Sequence, residues 1–104
     1  MKTDELISRY AVGQRDFSGA KLMGAQLKKV NLSYANFSGA DLRGANLTSA
    51  NLSHANLDQA ILTGANLTQA NLTAVNLTQA HILDVNFTGA NLRGAIMPDG
   101  AIPT

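Results

Sequence analysis

Residues 40–59 read Ala-Asp-Leu-Arg-Gly, Ala-Asn-Leu-Thr-Ser, Ala-Asn-Leu-Ser-His, Ala-Asn-Leu-Asp-Gln. The frame runs outward in both directions, so that every fifth residue from Phe17 to Met97 is a large apolar one, through seventeen repeats. A period of five fits neither a helix of about 3.6 residues per turn nor a flat strand whose side chains alternate. A chain with this period must turn a corner in each repeat and wind into a solenoid.

Take the large apolar residue as the centre of its repeat. Two residues before it stands Ala thirteen times and Val three times, with Arg15 the remaining case. In extended backbone these two positions point the same way, so a large and a small side chain fill one interior. Asn or Asp precedes the centre in twelve repeats, and Ser or Thr follows it in most. These are turn formers whose side chains bond nearby backbone, so each pentapeptide is a short extended piece plus a corner. If four repeats made one coil, Asn residues twenty apart, such as Asn31, Asn51, Asn71 and Asn91, would stack and bond one coil to the next.

Runs such as Ala45-Asn46-Leu47-Thr48-Ser49 and Ala65-Asn66-Leu67-Thr68-Gln69 make the chain resemble the pentapeptide-repeat family, whose consensus is A(D/N)LXX. The resemblance covers 16–97 and is closest to the small members common in cyanobacteria. It implies an all-β fold, a right-handed quadrilateral β-helix of about four coils with four repeats in each. Phe17, Phe37, Leu57, Leu77 and Met97 would then share one interior column.

Both ends of a solenoid need covering. Thr3 as N-cap, Asp4 and Glu5 in a first turn and the apolar Leu6, Ile7, Tyr10 and Ala11 predict a short capping α-helix, with Gly13 at its exit. The expected organisation is a capping helix in 1–14, a β-helix in 15–97 and a C-terminal turn and tail in 98–104. Pro98 and the Met97–Gly100 turn leave Ile102 and Pro103 as a thin lid, so this end is expected either to be loosely capped or to dock against a partner, a second copy end to end being one such partner.

The net charge of +1 argues against a nucleic-acid partner, and without an apolar stretch near the N-terminus neither a signal peptide nor a membrane span is expected. The chain has no Cys, which suits a reducing compartment, and a cytoplasmic location is expected. Eight Asn-x-Ser/Thr sequons arise from the repeat itself and carry no glycosylation signal. His54 and His81 lack convergent ligands or a nucleophile, so no catalytic residue, metal site or cofactor is assigned and the protein is not read as an enzyme. Lys21 and Asp41, one coil apart, are expected to pair.

The roughest repeat is His81-Ile82-Leu83-Asp84-Val85, where Leu83 replaces the usual Thr. Ile61, His81, Leu83 and Asp84 are therefore the expected contact surface for an unidentified protein partner. The leading expectation is a non-catalytic structural or interaction solenoid. The alternative that the resemblance suggests, a DNA-mimicking gyrase-binding protein, is disfavoured because Asn replaces Asp at most repeats. A third, ice or surface binding, would rest on the rank of Thr48, Thr68 and Thr88.

Overall fold

The computed structural model describes residues 1–100. Each repeat closes on itself in the same way. The carbonyl of the centre accepts the N–H three residues on, from Ala20→Phe17 to Gly100→Met97, at 2.8–3.2 Å. The residue two after the centre takes φ between 55° and 73° in the repeats from Gly19 to Gly94. Glycine adopts that conformation without a steric penalty, whereas Tyr34, His54, Gln69 and Asp84 are among the residues that adopt it at a cost of order 1 kcal/mol each.

What holds those strained corners is the neighbouring coil. Parallel single-residue bridges join positions twenty apart, from Asp16–Asn36 to Asn76–Ile96, so each coil contains four repeats. Three backbone donors of a repeat bond to adjacent coils, as in Asn46→Ala25 at 2.9 Å, Leu47→Asn66 at 2.8 Å and Ser49→Thr68 at 2.8 Å. A fourth closes the turn. The fifth, on the residue after the centre, is taken by the side chain two residues earlier: all twelve Asn and Asp residues at that position accept it through Oδ1, at 2.9–3.2 Å. The extended pieces are one bridge long, and no longer strand forms among the described residues.

The Asn residues stack in register as expected, as in Asn31–Asn51–Asn71–Asn91, but their side chains mostly do not bond one coil to the next. The amide oxygens are engaged within their own repeat, and among the described residues coil-to-coil amide bonds occur only as the long Asn76→Asn56 at 3.5 Å and Asn46→Gln26 at 3.4 Å. An oxygen already held by the N–H two residues on, and often by a Thr hydroxyl, is poorly placed to accept from the coil above.

Inside, Leu27, Leu32, Leu57, Leu62, Leu67, Leu72 and Leu77 are wholly buried, with Ala35, Ala40, Ala45 and Ala60 beside them. Phe17 and Phe37 stack with centroids 5.7 Å apart at the base of their column. The molecule is an elongated prism of 35 × 23 × 21 Å.

Helix α1 spans Thr3–Ala11 with Val12 at its C-cap, and Gly13 just beyond, with φ of 100°, turns the chain so that Gly13 N–H donates to Tyr10 C=O and Gln14 N–H to Arg9 C=O. Its start differs from the expectation. Lys2 occupies the N-cap position without a side-chain bond, because its carbonyl accepts from Leu6 and draws Thr3 into the helix. The N-terminal amine donates to Lys21 C=O at 3.0 Å. Leu6 is fully buried over the first coil, while Ile7 and Ala11, expected on the apolar face, are exposed. Tyr10 Oη donates to Ser33 C=O at 2.8 Å, and the Arg15 guanidinium lies 3.6 Å from the Tyr10 ring centre, fastening the lid to the tower. The opposite end is more open: Ile82, Val85, Phe87, Leu92 and Met97 are only half-buried. The thin lid expected from Ile102 and Pro103 lies outside the described residues.

Candidate functional site

The 20-residue register sorts the surface into four sides. Three carry Asn before the centre and Ser or Thr after it in most coils. The side formed by 21–24, 41–44, 61–64 and 81–84 does not. Its bridged column before the centre is Lys21, Asp41, Ile61 and His81, and the column after the centre is Met23, Arg43, Thr63 and Leu83. Gly24, Gly44 and Gly64 form its corner, and a Cβ at any of them would meet nothing within 4 Å.

The expected contact residues therefore fall together. Ile61 and His81 are bridge partners, Leu62 N–H donates to His81 C=O at 2.8 Å, and Gly64 N–H donates to Leu83 C=O at 3.0 Å. Leu83 is 71% exposed, Ile61 is half-buried, and Asp84 stands at the corner with φ of 59°. Sequence reading missed Met23, 53% exposed in the column of Leu83; the signal was its place sixty residues, three coils, before Leu83.

The electrostatics of this side also differ from expectation. Asp41 pairs with Arg43, two residues on, and not with Lys21: Arg43 Nη2 donates to Oδ2 at 2.6 Å and Nε to Oδ1 at 2.9 Å. A bidentate guanidinium on the same strand piece outcompetes a lysine one coil away. The bond from Arg43 holds the Asp41 carboxyl below its ordinary value, with Lys21 contributing only a weaker through-space attraction, and Arg43 is raised in turn. Asp16, at the base, is lowered by the hydroxyl and N–H of Ser18.

Elsewhere, Tyr34 and His54 stack in parallel at 4.7 Å on another corner. Among the described residues no three His, Asp or Glu side chains converge as metal ligands. No helix is long and apolar enough to cross a membrane among those residues.

With four turns per coil, a Leu column and a 20-residue register, the class of protein is a β-solenoid. The family model for pentapeptide repeats (8 copies) matches residues 16–48, 25–64 and 60–99, and the chain belongs to the pentapeptide-repeat family. It is similar to a pentapeptide repeat protein from Nostoc Pcc 7120, at 36% identity over 86% of this chain and 74% of that one, with a TM-score of 0.59. A pentapeptide repeat protein from the cyanobacterium Cyanothece 51142 shares 33% identity over 79% of this chain, with a TM-score of 0.60. The fold is shared, at 24% identity and a TM-score of 0.68 over 79% of this chain, by a trypsin-treated plasmid-mediated fluoroquinolone resistance protein. The chain spans 60% and 42% of the lengths of these last two. No curated protein matches it.

Proposed function

We propose that this protein is a non-catalytic interaction solenoid, a right-handed quadrilateral β-helix, that docks a protein partner in the cytoplasm through the side bearing Ile61, His81, Leu83 and Asp84. The observation that carries this reading is the break in surface chemistry. Exposed Met23 and Leu83 and half-buried Ile61 share one side, where the other sides present chiefly Asn, Ser and Thr. A rigid tower holds such a side in a fixed outline, as solenoids that serve as binding surfaces do. Capture from a lysate of its native cells tests the reading. A protein retained by the native chain, identified, and released by Leu83→Glu supports it; equal retention by the variant moves the contact elsewhere.

Homodimerisation through the C-terminal end is a second contact, supported by the half-buried Phe87, Leu92 and Met97. Sedimentation that finds only monomer at millimolar concentration removes it. The gyrase-binding alternative lacks a dense acidic surface, since the net charge is +1. For ice or surface binding, Thr48 and Thr68 hydroxyls already donate to Asn46 and Asn66, which leaves fewer donors facing water.

A further inference from the structure

The docking side also holds three of the four repeats whose N–H after the centre lacks the usual side-chain acceptor. Twelve repeats supply their own oxygen to the N–H after the centre, and five do not: those with Lys21, Gln26, Ile61, His81 and Ile96 before the centre. The last of these is followed by Pro98, which has no N–H to satisfy. The other four leave the N–H groups of Met23, Lys28, Thr63 and Leu83 without an acceptor among the described residues. Three of the four lie on the one side, and Thr63 and Leu83 occupy consecutive coils in register, about 4.8 Å apart.

We propose that the Thr63 and Leu83 N–H groups together receive a carboxylate side chain of the partner, in the place that Asn or Asp Oδ1 fills elsewhere. The inference rests on the docking reading above and adds the chemistry of the occupant. A carboxylate carries two acceptor oxygens and about four lone-pair sites, enough to span both donors. Bonds from N–H to an ionised acceptor are stronger than neutral ones. Arg43 and Asp41 neutralise each other in the coil below Thr63, so the positive charge this side offers is that of Lys21, two coils below Thr63. Asp84 is the opposing charge at the corner, and Asp41 is already occupied by Arg43. Ile61 and Leu83 flank the two donors with apolar surface, so the segment that fits is an acidic residue between apolar ones.

The test uses the full chain, uniformly labelled with nitrogen-15, titrated with N-acetyl-Leu-Asp-Leu-amide. The proposal expects saturable downfield shifts of the Thr63 and Leu83 amide protons, larger than those of Thr68 or Thr73, and binding about tenfold weaker for the Leu-Asn-Leu peptide. The double variant Ile61→Asn, His81→Asn restores the internal oxygen found in neighbouring repeats, so it folds, and it should abolish the shifts. Leu83→Glu separates the two readings. If Leu83→Glu removes binding while the Asn double variant retains it, the docking side stands and the carboxylate assignment falls. Equal binding of the two peptides, or no saturable shift at either amide, also overturns the assignment. A native partner still released by Leu83→Glu would then leave the docking reading intact.

Discussion

The two ends of the tower are built from the same repeat and finished differently. At the base, Phe17, Leu22, Leu27 and Leu32 are buried beneath Leu6 and Tyr10 of helix α1. At the top, Ile82, Phe87, Leu92 and Met97 occupy the same columns and remain half-buried. Stability in a solenoid is close to a sum over coils and their interfaces, so a side chain is worth what its two neighbouring layers make it worth. The difference teaches that position along the axis, more than residue type, sets the energetic weight of each Leu.

The strongest way to break this comparison is to cut one residue type in one column. Leu32 and Leu92 share a column, and Leu32→Ala should destabilise the protein by about 3 kcal/mol in urea unfolding, Leu92→Ala by about half of that. Equal losses would mean that the top is covered as well as the base. Leu6→Ala, which opens the lid without touching a coil, should cost about 2 kcal/mol. Hydrogen exchange in this variant should quicken first at the amides of 17–32, because local opening starts where a layer has lost its cover.

Smaller changes sharpen the picture of how the lid is fastened. Tyr10→Phe removes the bond to Ser33 C=O and should lower stability by about 1 kcal/mol while leaving the helix in place. Circular dichroism together with denaturant midpoints would separate the two effects. The smallest effect is that of the Asp41–Arg43 pair. Its folded-state carboxyl is held low, so it stabilises the protein above the unfolded value of about 3.9 and loses that contribution as pH falls through the lower folded value. Native protein should therefore lose a slight advantage over Asp41→Asn in melting temperature below about pH 4. A gap that persists unchanged to pH 2 would show that the pair contributes through shape and not charge.

Much of this was legible in the chain. A five-residue period with Ala two before each Leu leaves few solutions besides a solenoid, and the four repeats per coil that the family resemblance implies placed Ile61, His81 and Leu83 on one side. Where reading failed, competing partners lay within reach of one another. Asp41 had Lys21 one coil below and Arg43 two residues on, and only the geometry of a planar guanidinium selected the second. The Asn residues likewise could serve the coil above or their own turn, and the turn donor lies nearer.

By itself the sequence determined the solenoid, its Leu and Ala interior and the one irregular repeat, because interior volume and corner chemistry repeat every five residues and are readable one residue at a time, while the columns followed from the family resemblance. The tertiary structure alone decided which backbone donors stay unfilled, which charges pair and how unequally the two ends are covered. Those outcomes depend on distances between residues twenty apart, and such distances exist only once the coils have stacked.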